Sequence, residues 1–491
     1  MPPTLRTIGR PLAIASFVAA LALAACGGGG SSPGPPGGPT PAPTPSPAHT
    51  PTPKPSTSPT ASATPTVRPS ASPTATPSAI PTATPTPNGL ITHIVVVIQE
   101  NRSFDNLFHG FPDANTVDSG YWHQQLVTLQ PFDLASPYSA EHTHGAWSKG
   151  YDGGLMDGFG DVLGGNFSGG SRSRAGTAVY VYAPQGQVQP YWDLATNFAL
   201  SDNTFESYQG PSFVSHLFMV AGQAAEMAEN PDGTPWGCTA PAGTHVATID
   251  QYGEHHPGIY PCVTLTTIAD ELDARGISWR YYAPQIYEND PNEGDYGRNW
   301  STFDAVSNVY YGPDWVNVVS PETQFLSDIA AGNLAQVTYI VPSLNNSDHP
   351  GEGIDNGPTW VTSIVNAVEN SQFWSHAAVI VVWDDWGGWY DHVTPQIYDY
   401  QSLGFRVPLI AVSPYAKTNY VSHVQYETAS VLRFIEDQFG LGQLTGVDAR
   451  AGGLEDLFDF NQPPRRHKKL RFTPGSARKL IEAATPGAPD Y

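Results

Sequence analysis

The stretch "HIVVVIQENRSFDNLF", residues 93–108, sets a fully apolar run directly before a polar one. The Ile and Val residues at 94–98 predict a strand that is buried on both faces, which is typical of a parallel sheet covered by helices. Two acids, an amide and an arginine then follow at the point where this strand ends. Ligands of open α/β sheets bind beyond the carboxyl ends of the strands. We therefore predict that Glu100 and Asn101 face a functional crevice.

The rest of the chain predicts the same architecture, because short apolar runs alternate with amphipathic helical patterns. We predict an α/β fold with a central, mostly parallel sheet flanked by helices. The predicted strands are 94–98, 277–282, 337–341, 377–383 and 407–412, and the predicted helices lie within 264–276, 321–334, 359–374 and 427–441.

The N-terminal segment 1–26 predicts export, because Arg6 and Arg10 precede an apolar stretch that is short for a membrane span. Residues 23–26, "LAAC", resemble the lipobox of bacterial lipoproteins, in which Cys26 would carry the lipid; an ordinary secretory signal is the alternative. Residues 27–88 are rich in Pro, Thr, Ser and Gly and predict a disordered linker. A catalytic domain would occupy 89–491. We expect a membrane-anchored lipoprotein at the periplasmic or outer cell surface.

Composition restricts the partners. The chain of 491 residues has 45 acidic and 22 basic residues, a formal net charge of −23. Such a charge argues against nucleic acid as a partner, and we expect membrane contact only through the lipid anchor. Beyond Cys26, the remaining cysteines are Cys238 and Cys262. In an oxidising compartment we predict a disulfide between them, with two unpaired buried thiols as the alternative.

A second acidic pair, Asp384 and Asp385, follows the apolar run 377–383. If both strands belong to one parallel sheet, these carboxylates and those of Glu100 and Asn101 reach the same edge. Oxygen ligands gathered in this way suit a divalent metal ion, whose identity the residues do not reveal. The alternative is that each pair consists of ordinary helix caps or loop acids.

A candidate nucleophile, Ser212, lies in "GPSFVSHLF", residues 210–218. It precedes an apolar helical run, so its hydroxyl is expected at a helix N-terminus, where an anion is favoured. An ordinary N-cap serine occupies the same place and is the commoner explanation of the spacing alone.

Histidines could supply positive charge and a proton for a leaving group. "EHTHG" contains His142 and His144, which we expect on one side of an extended segment, and "NNSDHPGEG" contains Asp348 and His349 after a predicted strand. A lone histidine is usually structural. No G-x-S-x-G elbow lies between a predicted strand and a predicted helix, which lowers the expectation of an α/β-hydrolase esterase.

Taken together, the motifs resemble the bacterial phosphoesterase family that contains phospholipases C and acid phosphatases, within the alkaline-phosphatase-like superfamily. The resemblance covers about residues 90–440, and its most specific parts are "VVVIQENRSFDNLFHGFP" and "DDWGGWYDHV". It is supported by "HTHG", "MDGF", "GPSFVSHLF", "ISWRYYAP", "SDHPGEG" and "ETASVLRFIEDQFGL".

The resemblance implies a role for each candidate. Ser212 would be the nucleophile that forms a phosphoserine. The metal ligands would be Glu100, Asn101, Asp384 and Asp385; the phosphate would be bound by Asn101, His142 and His144, and Asp348 and His349 would assist the leaving group. Asp385 departs from the commoner Asp-Glu pair, which puts the identity of the metal in doubt more than its presence.

The substrate remains open at this point. Phospholipase members usually have Thr at the position of Ser212, so the serine favours an acid-phosphatase-like enzyme that hydrolyses phosphate esters. A phospholipase C that cleaves phosphatidylcholine-type lipids is the alternative, and a non-catalytic surface-anchored binding protein is a second one. A sulfatase is disfavoured, because no C-x-P-x-R segment occurs.

Overall fold

A computed structural model describes residues 89–166, 171–284, 299–351 and 355–466. The predicted signal segment, Cys26 and the linker lie outside these residues. All described residues belong to one compact unit, Pro77–Tyr491. Within them, no helix has the length and apolar character needed to cross a membrane.

Strands and short helices alternate along the described chain. The strands are β1 His93–Gln99, β2 Ser119–Trp122, β3 Gln125–Thr128, β4 Gln130–Pro131, β5 Tyr138–Ala140, β6 Leu163–Asn166, β7 Ser173–Arg174, β8 Val181–Tyr182, β9 Ala199–Phe205, β10 Val246–Ile249, β11 His255–Ile259, β12 Trp279–Tyr282, β13 Val318–Val319, β14 Val337–Ile340, β15 Ala377–Trp383, β16 Arg406–Val412, β17 Tyr420–Ser422 and β18 Tyr426–Glu427. The α-helices are α1 Phe104–Phe108, α2 His144–Tyr151, α3 Gln185–Asn197, α4 Ser212–Ala221, α5 Ile268–Ala274, α6 Ser307–Tyr310, α7 Gln324–Ala330, α8 Gly357–Glu369, α9 Ala429–Phe439 and α10 Gly446–Arg450.

The central sheet confirms the predicted α/β architecture. Its strand order is β13-β12-β14-β1-β15-β16-β9-β17, and β18 also pairs with β9. All neighbours are parallel except β16, which runs antiparallel to β15 and β9. Every residue of β15 and β16 is buried, so helices and loops cover both faces. Helices α3 and α8 contact one another, as do α4 and α9.

All five predicted strands exist, with ends that differ by at most two residues. The four predicted helices exist as well but are shorter than their patterns; α5 begins at Ile268, where Thr267 and Asp270 form a capping box. The sequence analysis missed β9, because Ser201, Asp202 and Asn203 interrupt its apolar run. The predicted disulfide between Cys238 and Cys262 is present.

A second, aromatic core lies under the segment 117–182, outside the central sheet. It contains Phe159 and Tyr180 together with Trp386, Trp389 and Phe405. Trp386 and Trp389 come directly after the acidic pair that follows β15. The loop that carries Asp384 and Asp385 is therefore fixed by packing on both sides, by the sheet before it and by this aromatic core after it.

A buried carboxyl group makes the stability of the fold depend on pH. Burial, and next the carboxyl group of Asp448, raises the pKa of Glu436 from 4.5 to about 9. The folded protein therefore holds a proton that the unfolded chain releases, so this group stabilises the fold at low pH and loses its contribution as the pH rises toward 9.

We predict that Glu436→Gln, which keeps the shape and cannot ionise, flattens the dependence of the unfolding free energy on pH between 4.5 and 9. The change in slope is at most about 1.4 kcal/mol per pH unit. Chemical denaturation at a series of pH values measures it. The control is Asp437→Asn on the same helix, where the carboxylate pairs with Arg433 at 2.8 Å. Identical slopes for Glu436→Gln and the wild-type protein would contradict the prediction.

Candidate active site

The site begins where β1 and β15 end side by side. The two strands pair in parallel from His93 opposite Ala377 to Gln99 opposite Trp383. The residues that follow each strand therefore meet at one edge of the sheet. The backbone N–H of Asn101 donates to Asp384 Oδ1 at 3.0 Å, which joins the two predicted pairs directly.

The backbone at this junction is tightly constrained. Asn101 has a left-handed conformation, with φ of 59°, which Asn tolerates better than most residues. Gly387 approaches it so closely that a Cβ atom there would lie 2.1 Å from the Asn101 carbonyl oxygen. The N–H of Gly387 also donates to Asp385 Oδ1 at 2.7 Å. Gly387 thus allows the loop to fold back and hold the Asp385 carboxylate in place.

Ser212 is the first residue of α4 and points at these groups. Its hydroxyl donates to Asp385 Oδ2 at 3.1 Å. It also accepts from Asn101 Nδ2 at 3.2 Å. The N-cap position belongs to Pro211, and Ser212 is the first residue inside the helix, so the alternative of an ordinary N-cap serine is wrong.

His142 lies in the cluster and His144 does not. The Nδ1 atom of His142 is 2.9 Å from the Ala140 carbonyl, and its Nε2 atom is 3.1 Å from Asn101 Nδ2. His144 instead starts α2, so the expectation that both rings lie on one side of an extended segment is wrong. Its Nδ1 atom is 2.8 Å from the Gln209 carbonyl, and burial lowers its pKa.

Of the predicted pair Asp348 and His349, only His349 borders the cluster. The ring of His349 lies 6.3 Å from that of His142, centre to centre, so it borders the cluster. The carboxylate of Asp348 accepts from Tyr191 Oη at 2.7 Å and from Trp383 Nε1 at 3.1 Å. Burial raises the pKa of Asp348 to about 6. The backbone carbonyl of Asp348 accepts from Arg102, which holds the His349 loop against the end of β1.

Sequence analysis missed His216. It lies four residues after Ser212 on α4, a spacing that places both on one helix face and that could have revealed it. Its Nε2 atom is 2.8 Å from Glu100 Oε1 and 3.5 Å from Asp384 Oδ2. Although burial opposes ionisation of Asp384, the hydrogen bond and charge of His216 lower its pKa.

Sequence analysis also missed Glu206, which follows β9. Its carboxyl group accepts from the N–H of Trp386 at 2.8 Å. Burial, followed by the charges of Asp385 and Asp384, raises the pKa of Glu206 well above its usual value. No sequence signal marked it, because it ends a strand that was not predicted.

The donor atoms fit a divalent metal ion. An amide nitrogen has only two N–H groups. Nevertheless Asn101 Nδ2 lies 2.9–3.2 Å from four acceptor atoms of Asp385, Ser212 and His142. Asn101 Oδ1 is buried and has no hydrogen-bond partner among the described residues. Glu100, His216 and Asp384 offer donor atoms close enough together to hold one ion. Convergence of electron-pair donors in a buried space is the arrangement that a cation requires.

Comparison with known proteins identifies the family. A sequence model of the Phosphoesterase family matches residues 91–442. The chain belongs to the Phosphoesterase family. The predicted resemblance is thereby confirmed, and all the site residues described above fall within the matched segment.

Curated relatives of this Phosphoesterase-family chain include several phospholipases C. The hemolytic phospholipase C of Pseudomonas aeruginosa is 24% identical over 75% of this chain, which spans 56% of that protein. Phospholipase C A of Mycobacterium tuberculosis is 25% identical over 76% of this chain and 78% of that protein. A solved alkaline phosphatase superfamily protein from Vibrio parahaemolyticus covers 74% of this chain and 69% of its own at 9% identity, with a TM-score of 0.36. That structural likeness is too weak to add to the argument.

We predict that Gly387→Ala destabilises the protein by about 1–3 kcal/mol, because the added methyl group meets the Asn101 carbonyl in a left-handed backbone conformation. Thermal unfolding measures the loss. Gly186→Ala on α3 is the matched control, since nothing lies within 4 Å of its Cβ position. Equal melting temperatures for the Gly387→Ala and wild-type proteins would contradict the close approach.

Proposed function

We propose that the protein hydrolyses phosphate esters, with Ser212 as nucleophile. The observation that carries the proposal is the position of the Ser212 hydroxyl, buried at the start of α4 and bonded to Asp385 Oδ2 at 3.1 Å. The positive end of the helix dipole lies at that point and favours an incoming phosphate. Membership of the Phosphoesterase family supports the same chemistry.

The reaction would take place in two displacements. In the first, a bond forms between Ser212 Oγ and phosphorus while the hydroxyl proton passes to Asp385 Oδ2. The bond from phosphorus to the substrate's alcohol oxygen breaks, and His349 donates a proton to that oxygen. In the second, a water oxygen attacks phosphorus and gives its proton to His349, the bond from phosphorus to Ser212 Oγ breaks, and Asp385 returns the proton to Oγ. Asp385 orients the hydroxyl, and Asn101 Nδ2 positions His142 beside it. We assign Asp348 a positioning role instead of the leaving-group role that the resemblance implied, because its carboxylate is held by Tyr191 and Trp383.

We assign the metal ligands Glu100, Asn101, Asp384 and Asp385, as the sequence implied. When bound there, a divalent cation would neutralise phosphoryl oxygens and lower the pKa of the serine hydroxyl. The support comes from the unpartnered Asn101 Oδ1 and from three carboxylates that are fully buried. Buried carboxylates in such number need a compensating positive charge.

Phospholipase C activity is the second candidate for the substrate class. It is favoured by the curated relatives, which are named phospholipases C. A monoesterase is favoured by the serine at position 212. An assay with p-nitrophenyl phosphate, p-nitrophenylphosphorylcholine and phosphatidylcholine vesicles, each with and without chelator, separates the two. Hydrolysis of the first substrate alone would identify a phosphatase, and cleavage of the two choline esters would identify a phospholipase C.

We predict that Ser212→Ala lowers kcat on whichever ester is cleaved by at least about 10³-fold, because it removes the hydroxyl that is proposed to form the covalent intermediate. The far-ultraviolet circular dichroism and melting temperature should stay close to those of the wild-type protein. Ser363→Ala on α8, which removes a hydroxyl bonded to the Thr359 carbonyl, is the control and should retain activity. Turnover by Ser212→Ala at the wild-type rate would remove Ser212 from the mechanism.

We further propose that the protein is exported and anchored through a lipid on Cys26, a residue outside the described structure. The support is the lipobox-like "LAAC" and the Pro- and Thr-rich segment after it. In a bacterial host, the full chain should incorporate radiolabelled palmitate and sediment with membranes, and Cys26→Ala should lose both properties. Palmitate labelling that persists in Cys26→Ala would refute the anchor.

A further inference from the structure

The proposed function assigns no role to His216, although its position is unusual for a histidine. It lies on α4 one helical turn after Ser212, is only 1% exposed, and faces two of the carboxylates assigned to the metal. Its Nε2 atom is 2.8 Å from Glu100 Oε1. The same atom is 3.5 Å from Asp384 Oδ2.

The separation from Asp384 matches that between neighbouring ligands of one metal ion, and the separation from Glu100 is slightly shorter, at a hydrogen-bond distance. Nitrogen and oxygen ligands lie about 2.0–2.2 Å from zinc, so two ligands of one ion that subtend roughly 90–110° lie about 3.0–3.5 Å apart. The distance of 3.5 Å to Asp384 is long for a hydrogen bond but ordinary for two such ligands. The Asn101 amide oxygen, buried and without a hydrogen-bond partner among the described residues, lies in the same cluster.

A second histidine in the protein shows what a structural pairing looks like. His392 Nδ1 is 2.6 Å from Asp105 Oδ2, beside Asp391. There the charge is already balanced, because the buried Arg406 guanidinium donates to both carboxylates, at 3.2 Å to Asp105 and 3.1 Å to Asp391. His216, by contrast, pairs with two carboxylates, those of Glu100 and Asp384.

We propose that His216 Nε2 is itself a ligand of the divalent cation, beside Glu100 and Asp384, and that the site therefore selects a transition metal. This proposal rests on the metal site of the proposed function. An imidazole nitrogen among carboxylates suits zinc, manganese or iron, whereas an all-oxygen set suits magnesium or calcium. His216 thus fixes the class of metal, while Ser212 on the same helix provides the reacting hydroxyl.

The experiment uses the full-length protein, stripped with a chelator and reloaded with one equivalent of Mn²⁺. Electron spin-echo spectroscopy of the bound Mn²⁺ detects a directly coordinated histidine nitrogen. We expect this coupling in the wild-type protein and its loss in His216→Gln. We also expect the affinity for Zn²⁺, measured by competition with a chromophoric chelator, to fall about 10–100-fold in His216→Gln, while that for Mg²⁺ changes little. His392→Gln is the matched control and should keep the coupling and the affinity.

Two results would overturn the proposal. The first is the absence of nitrogen coupling in the wild-type protein, a result that needs no variant. The second is a His216→Gln variant whose nitrogen coupling and Zn²⁺ affinity equal those of the wild-type protein. If that variant does not fold, His216→Asn serves in its place, and circular dichroism of both is recorded first. Failure of this proposal can be distinguished from failure of the proposed function. The proposed function is tested by the rate of ester hydrolysis of the wild-type and Ser212→Ala proteins, whereas this proposal is tested by the coordination and affinity of the metal.

Discussion

The pairing of β1 with β15 is the interaction on which the rest of the site depends. It is a parallel ladder in continuous register from His93 opposite Ala377 to Gln99 opposite Trp383. Because side chains alternate along a strand, a slip by one residue would turn every side chain to the other face. Glu100 and Asn101 follow β1, and Asp384 and Asp385 follow β15, so both pairs lie at the same edge of the sheet. Two distant sequence segments thereby become one polar cluster in an otherwise apolar core.

Rigid surroundings keep that cluster in place. On one side, Trp386 and Trp389 anchor the loop after β15 in the aromatic core. On the other, the buried Arg406 guanidinium joins Asp105 of α1 to Asp391, at 3.2 and 3.1 Å. Arg102 reaches from the end of β1 to the carbonyl of Asp348 at 2.8 Å. Side chains that must lie within a few tenths of an ångström of one another are therefore carried by packed elements rather than by free loops.

The sequence revealed those parts of the site that follow an apolar strand or begin an apolar helix. Glu100, Asp385 and Ser212 could be predicted because the strand-end rule and the helix-start pattern act locally. Glu206 could not be predicted in the same way, since it follows a strand that was not predicted and its partner is the distant loop at Trp386. For His216 the sequence offers only its spacing from Ser212, and its pairing with Glu100 depends on the tertiary fold. His144 shows the converse case. Its near neighbour His142 belongs to the site, but His144 begins α2 and its ring contacts the Gln209 carbonyl instead.

The acidic groups of the cluster lie in a chain whose net charge is already −23. Glu100, Asp384, Asp385 and Glu206 are all fully buried. If all four were ionised, their mutual repulsion and their desolvation would be costly without a compensating positive charge. Burial, followed by the charges of Asp385 and Asp384, raises the pKa of Glu206 well above its usual value, which disfavours its ionised form. The cation that the site is proposed to hold would offset the charge of the other three carboxylates. Under the proposed function, a phosphate ester would therefore meet a locally compensated site at the start of α4.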